Sequence, residues 1–187
     1  MSSSFKRIKV NGGVAGVLKR IGKPGTVDVG IIDAGPHHGT DLTIAAIGFI
    51  HEFGAVIDHP GGTPYVIVPK IGAIFVNKDH PSPDGITQPH KISIPERSFM
   101  RSTLRENREL IIKRQKFLWS KVQRGVIKRN QALGLLGEVV SDMIRRKIVA
   151  LKYPPNAPAT IRAKRGKANP LIDTGQFKNS ITYKVNP

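Results

Sequence analysis

Residues 98–122, SFMRSTLRENRELIIKRQKFLWSKV, contain the longest helical pattern in the chain. Apolar side chains recur along them at spacings of four or seven residues, which is the period of one face of an α-helix. Basic side chains fill much of the remaining circumference, and Gly125 is a plausible end of the helix. The pattern predicts one long helix whose apolar stripe must pack against other elements. The stripe consists of Met100, Leu104, Ile111, Leu118 and Val122.

A second helix is predicted between residues 40 and 52, upstream of this segment. Thr40 or Asp41 is expected to cap its start, because short polar side chains accept hydrogen bonds from the first free N–H groups. Gly48 costs about 1 kcal/mol relative to Ala inside a helix, so its presence predicts close packing against another element. Gly54 follows the helix and suits the left-handed conformation that often ends one.

Two more helices are predicted on either side of these elements. Residues 130–151 form the third long helix, with Asn130 as its cap and Pro154-Pro155 preventing its continuation. Residues 14–21 have apolar side chains at helical spacing, and Lys23-Pro24-Gly25 is expected to end this short helix. The inward side chains predicted for the third long helix are Leu136, Val139, Val140, Met143 and Ile144.

Strand patterns occur near the two ends of the domain. Residues 26–32 (TVDVGII) alternate apolar and other side chains, and residues 180–185 (SITYKV) form a terminal strand pattern. We expect a small mixed or antiparallel sheet from these strands, packed on the three long helices. The fold class predicted from the sequence is therefore α+β, with one domain over residues 26–187.

Residues 58–95 have a different character, with turn signals and three short strand patterns at 65–68, 73–76 and 91–94. The Pro-rich stretch at 79–84 disfavours regular pairing. We predict an antiparallel hairpin or three-stranded arm, which has little core of its own and must lie against another surface. The side chains expected to make that contact are Tyr65, Ile67, Ile74, Phe75 and Ile92.

The 187 residues carry a formal charge of +17, and this charge is unevenly distributed. Residues 26–96 hold eight acidic and three basic residues, whereas 97–129 hold eleven basic and two acidic residues. Residues 1–25 form a basic N-terminal segment, and 154–170 form a basic, Pro/Ala/Gly-rich linker that is mobile or docks on the domain. Complementary patches steer association, so the acidic block is expected to face the basic block of a neighbouring copy. Candidates for subunit or DNA contact are Arg97, Arg101, Arg105, Arg108, Lys113 and Arg114.

The sequence offers little support for catalysis, and no cofactor or metal site is expected. Cys is absent, which excludes disulfides, thiolate nucleophiles and Cys-ligated metals. His51-Glu52 begins like a zinc-protease helix motif, but Ala55 stands where the second His is required. There is no Gly-x-Ser-x-Gly elbow and no Walker loop. No signal peptide is expected at Met1–Lys9, and no apolar run approaches the roughly 20 residues that span a bilayer.

Three stretches, in this order, resemble the phage virion-morphogenesis family of tail-completion or neck proteins. They are residues 44–55 (IAAIGFIHEFGA), residues 94–101 (IPERSFMR) and residues 157–185, which end in PLIDTGQFKNSITYKV. The family includes the Mu-like and P2-like tail-completion proteins and is similar to the HK97-type tail-component family. The arm resembles a β insertion found in some members.

This resemblance implies a non-enzymatic virion protein of the head–tail junction, acting as a neck, collar or tail-completion subunit. It implies a homo-oligomeric ring, of which a hexamer or dodecamer is expected, that joins neighbouring neck or adaptor proteins and the tail terminator. The chain would be in the host cytoplasm during assembly, with no membrane contact, and its basic side chains are candidates for contact with packaged DNA. The alternative left open is a stand-alone basic nucleic-acid-binding protein.

Overall fold

The computed structural model describes residues 13–22, 25–32, 34–38 and 41–186. Within these ranges the helices are α1 (Gly13–Ile21), α2 (Ile44–Phe53), α3 (Met100–Glu106), α4 (Arg108–Gln123), α5 (Arg129–Ala150), α6 (Pro158–Ala163) and α7 (Gln176–Asn179). The strands are β1 (Thr26–Ile31), β2 (Ala55–His59), β3 (Pro64–Val68), β4 (Gly72–Phe75), β5 (Gly85–Ile86), β6 (His90–Ile94) and β7 (Ile181–Asn186). The α+β class is confirmed. Residues 1–12 of the basic N-terminal segment, the Lys23-Pro24 helix end and Thr40 lie outside the described residues.

The centre of the domain is an antiparallel pair of strands that packs on the long helix α5. Strands β1 and β7 pair from Thr26 opposite Asn186 to Ile31 opposite Ile181. Both strands contact α5. This is the sheet predicted from residues 26–32 and 180–185, and it is antiparallel.

The main hydrophobic core lies where helices α2, α3, α5 and α7 meet this sheet. Ile144 and Ile148 of α5 and Ile181 of β7 are fully buried there, together with Phe99. The predicted close packing at Gly48 is confirmed, because a Cβ atom at this position would lie 2.5 Å from Ile31 Cδ1. A second, smaller cluster joins α4 to α5 through Leu118, Val122 and Ala132.

The single helix predicted over 98–122 is divided at Asn107 into α3 and α4, so that prediction was wrong. Side chains near the break bond to carbonyls four residues earlier: Ser102 Oγ donates to Ser98 O, Thr103 Oγ1 to Phe99 O and Asn107 Nδ2 to Thr103 O. Such back-bonding bends helices. Within the predicted stripe, Leu104 is 47% exposed, whereas Leu118 and Val122 are buried.

The starts of two helices also differ from the sequence-based expectation. Helix α2 begins at Ile44, where Thr43 Oγ1 accepts a hydrogen bond of 3.1 Å from Ala46 N. Helix α5 begins at Arg129, so Asn130 lies in its first turn and does not cap it. There the backbone N–H of Lys128 donates to Gln131 Oε1 at 2.9 Å.

The β arm spans residues 55–94 and consists of two small sheets. At its base β2 pairs antiparallel with β6, and farther out β3 lies between β4 and β5. The predicted strand at 91–94 therefore pairs with Ala55–His59 and not with the strands at 65–68 and 73–76. Strand β2 was missed because its five residues lie between a helix end and the turn signal at 59–62.

The basic linker 154–170 docks on the domain and contains the short helix α6. The side-chain amide of Asn169 donates to the carbonyls of Ile148, Val149 and Leu151, with distances of 3.3, 3.0 and 3.4 Å. These carbonyls lie at the C-terminal end of α5 and would otherwise have no helical partner. The chain then turns at 171–175 and forms the unpredicted helix α7 before β7.

Candidate interaction surfaces and the Glu52 junction

The carboxylate of Glu52, in the last turn of α2, caps the start of α3. It accepts hydrogen bonds from the backbone N–H groups of Phe99, Met100 and Arg101 at 2.8 to 2.9 Å, and from Ser98 Oγ at 2.8 Å. Glu52 is only 4% exposed. Burial alone would raise the pKa of this carboxyl, but the four hydrogen bonds outweigh it and hold the pKa below the usual value. The charged carboxylate thus satisfies N–H groups that no intrahelical carbonyl can reach.

Arg101 ties the same two segments together from the outside. Its Nε donates to Glu52 Oε1 at 3.1 Å, and its Nη2 donates to the Glu52 carbonyl at 2.6 Å and to Glu96 Oε1 at 2.8 Å. The guanidinium carbon lies 4.2 Å from the centre of the Phe53 ring. The side chain is half exposed, so Arg101 is mainly an internal clamp, and only its outer edge remains for a contact between subunits or with DNA.

Arg97, also a contact candidate from the sequence, points into the domain. It is 6% exposed, and its Nε and Nη2 donate to the carbonyls of Pro154 and Pro155, both at 2.8 Å. Its backbone N–H donates to the His51 carbonyl at 2.7 Å. Arg97 therefore holds the basic linker on the domain, and its expected surface role is corrected to this internal one.

The third stretch that carries the resemblance reaches the same place through Phe177. Its ring lies edge-on to Phe99 with 5.2 Å between centroids, and 6.4 Å from the His51 ring. Burial, with Arg97 and Lys164 nearby, lowers the pKa of His51 to about 4. His51 is therefore neutral at neutral pH. All three stretches meet around Glu52, and their shared role in this chain is to join α2, α3 and α7.

Sequence reasoning did not identify Glu52 as the cap of α3. Ser98 and Glu96 were the expected groups near this helix start, because both are local in sequence. Glu52 precedes Phe99 by 47 residues, and no local pattern indicates a cap at that separation. The only signal available was indirect: a Glu in the last turn of a mostly apolar helix, two residues before Gly54.

The other basic candidates lie on the surface of α3 and α4. Arg105, Arg108 and Lys113 are exposed, and Arg114 is partly buried. No carboxylate of the described residues lies within 4.0 Å of these four cations. On the same face, the Arg114 guanidinium carbon is 5.6 Å and Lys121 Nζ is 4.7 Å from the centre of the half-exposed Phe117 ring.

Several carboxylates of the acidic block 26–96 are already engaged by groups of the same subunit. Glu52 is used inside the domain, Glu96 pairs with Arg101 at 2.8 Å, and Asp58 pairs with Lys91 at 3.3 Å. The Asp84 carboxylate accepts a hydrogen bond from the backbone N–H of Ile67, and Asp33 lies outside the described residues. Fewer carboxylates are therefore free to pair with a neighbouring basic surface than the residue count suggests.

The arm exposes the apolar side chains that the sequence nominated. Ile67 and Phe75 are 61% and 59% exposed, and Ile74 and Ile92 are exposed to a smaller degree. Strand register places Tyr65, Ile67 and Phe75 on one face of the outer sheet and Ile74 on the other, because Tyr65 is opposite Phe75. The Tyr65 ring lies against Gly85, so Tyr65 is partly buried. Neither hydrophobic core cluster includes an arm side chain.

Neither a metal-binding cluster nor a membrane-spanning helix is present in the part of the chain that the structure describes. Those residues contain no group of three or more His, Asp or Glu side chains placed to hold a metal ion. None of the described helices is both long and apolar enough to cross a bilayer. Comparisons with models of protein families, with curated proteins and with solved structures found no match to this chain.

Proposed function

We propose that this chain is a structural, non-enzymatic subunit of a phage head–tail junction. In this proposal it acts as a neck, collar or tail-completion protein that assembles into a homo-oligomeric ring, a hexamer or dodecamer. The ring joins neighbouring neck or adaptor proteins to the tail terminator, and it requires no cofactor. Its place is the virion, after assembly in the host cytoplasm.

The observation that carries the proposal is the arm of residues 55–94. Two thin sheets expose large apolar side chains on opposite faces, and neither face is covered by the two core clusters of the same subunit. Sheets of two or three strands have little stability on their own, and exposed apolar surface marks an interaction site. An arm of this kind is stabilised by contact with another protein surface.

Assembly can be tested on the purified chain by native mass measurement. Phe75→Asp replaces an exposed apolar side chain with a charge and is expected to shift the ring to monomers. Asn77→Asp adds the same charge at an exposed position two residues away and should leave the ring intact. A wild-type chain that is monomeric at all concentrations would contradict the ring proposal.

Location can be tested by electron microscopy of phage particles that carry a labelled copy of the chain. The proposal expects the label at a single vertex, between capsid and tail. A label distributed over the capsid shell, or found only in particle-free fractions, would contradict it.

A second candidate function is nucleic-acid binding, and the unpaired cations of α4 favour it. Lys113 and Lys116 are exposed there, and basic surfaces bind phosphate backbones with an affinity that falls steeply with salt. A titration of duplex DNA at several salt concentrations tests this candidate. Steep salt dependence from a monomer, weakened by Lys113→Glu but not by Lys78→Glu in the arm, would favour nucleic-acid binding over the structural role.

A further inference from the structure

A groove of about 480 Å³ lies between the start of α4 and the second half of α5. Its apolar lining is formed by Leu110 on one side and by Val139, Met143 and Ala150 on the other. Leu110 is 53% exposed, and it is adjacent to the apolar side chains of α5 in this groove. None of the residues that line the groove belongs to the arm of the same subunit.

The charges at the edge of this groove are balanced. Arg146 Nη2 lies 2.8 Å from Asp142 Oδ2, and Lys147 Nζ lies 2.8 Å from Glu106 Oε1. Each cation therefore has a carboxylate partner, which is unusual in a chain whose net charge is +17. These four side chains therefore contribute no net charge at the edge of the groove.

The arm also has balanced formal charge. Residues 55–94 contain three lysines and three aspartates. On the outer sheet, Ile67 and Phe75 share one face and are both more than half exposed. Two copies of a +17 chain repel each other unless they meet through surfaces without excess cations. The arm and the groove are two such surfaces, and both are apolar.

We infer that the groove between α4 and α5 binds the arm of a second copy of this chain, with Phe75 and Ile67 against Leu110, Val139 and Met143. The inference rests on the ring proposed above and supplies its contact. Because the arm and the groove are different surfaces, each subunit contributes its arm to one neighbour and its groove to the other. Such head-to-tail contacts close into a ring when the rotation between copies allows it.

The absence of cysteine makes a direct test available, because introduced thiols are the only ones in the chain. Full-length Phe75→Cys is mixed with full-length Leu110→Cys and treated with a short bismaleimide, and covalent dimers are measured on a denaturing gel. Both positions are more than half exposed, so neither change disturbs the core. The matched control replaces Leu110→Cys with Val126→Cys, which is 63% exposed and precedes the opposite end of α5.

The inference expects at least tenfold more dimer from the Phe75–Leu110 mixture than from the control mixture and from each single variant alone. If both mixtures form rings in native mass measurement and yet cross-link equally, that result would overturn the inference and leave the ring proposal standing. A chain that neither cross-links nor assembles would overturn both. Protection of Leu110→Cys from the reagent by duplex DNA alone would also overturn it, because DNA would then occupy the groove.

Discussion

The Glu52 carboxylate accepts a 2.8 Å hydrogen bond from the buried backbone N–H of Phe99, so the end of one helix caps the beginning of another. Since the carboxylate also bonds to the next two N–H groups, the first turn of α3 depends on a side chain from α2. The three sequence stretches that suggest a tail-completion protein meet around this contact. Contacts within the subunit are therefore enough to explain the residue types in these stretches.

Replacing Glu52 is expected to be among the most destabilising single changes in the chain. Glu52→Gln removes the negative charge that faces several N–H donors, and we expect a loss of about 3 kcal/mol in the free energy of unfolding. Glu96→Gln is the control, because Glu96 is exposed and bonds only to Arg101 among these groups; its expected loss is below about 1 kcal/mol. Urea denaturation measures both, and equal losses would contradict the capping role.

The pH dependence of the free energy of unfolding is an independent test of the role of Glu52. Its pKa in the folded chain lies below the ordinary value of 4.5, so its stabilising contribution is complete above pH 4.5. That contribution is lost as the pH falls through the lowered folded-state pKa. The wild-type chain should therefore lose more stability in strong acid than Glu52→Gln does.

His51 predicts a second pH effect in a higher range. Its pKa falls from 6.5 to about 4 on folding, so the unfolded chain binds a proton between these values while the folded chain does not. Stability should be complete above pH 6.5 and decrease by about 3 kcal/mol as the pH falls to about 4. His51→Gln should flatten the stability profile in this window. His38→Gln, at an exposed position, should keep the wild-type slope, and an unchanged slope in His51→Gln would refute the assignment.

Two glycines on α5 provide a matched pair for the packing of this helix on the sheet. A Cβ at Gly137 would lie 2.6 Å from the Tyr183 ring and 2.8 Å from Val27, whereas one at Gly134 would lie 3.8 Å from Tyr183. Gly137→Ala should therefore cost about 1 to 3 kcal/mol through overpacking. Gly134→Ala should be neutral or stabilise by up to about 1 kcal/mol through helix propensity. Thermal unfolding of both variants tests this packing. A lower stability for Gly134→Ala than for Gly137→Ala would contradict it.

Arg97 is expected to control the docking of the basic linker. Arg97→Lys cannot donate from two fixed nitrogens to the Pro154 and Pro155 carbonyls. We expect cleavage by trypsin within residues 162–167 to become at least several-fold faster. Arg105→Lys, at an exposed position on α3, is the control and should be cleaved there at the wild-type rate. No difference between the two variants would show that other contacts hold the linker.

The elements that sequence analysis found correctly are those whose patterns are local. The alternation in residues 26–32 and 180–185 predicted β1 and β7, and helical spacing predicted α5. Gly48 indicated a close approach, which Ile31 makes. In each case the sequence signal itself lies within one helix or one strand, although the partner that each element packs against is distant in the chain.

The features that sequence analysis missed depend on partners distant in the chain or on competing hydrogen bonds. Strand β2 exists because Ala55–His59 pairs with His90–Ile94, a separation that no short pattern encodes. The break at Asn107 follows from side-chain bonds to the helix backbone, which spacing rules ignore. The prediction for Arg97 failed for the same reason. Its basic side chain indicates a surface contact, but its two carbonyl partners are 57 and 58 residues away in the chain.

Both ends of the arm leave the domain at a single fixed point. Gly54 precedes β2, and a Cβ on it would lie 3.0 Å from Ile94 O and from Glu96 N at the end of β6. The His51 carbonyl and the Glu52 carbonyl are bonded to Arg97 and Arg101 on the returning chain. The base of the arm is therefore anchored by hydrogen bonds to the end of α2, beside the carboxylate that caps α3. If a neighbouring copy holds the tip of the arm, as proposed, the orientation of the arm is set at this junction.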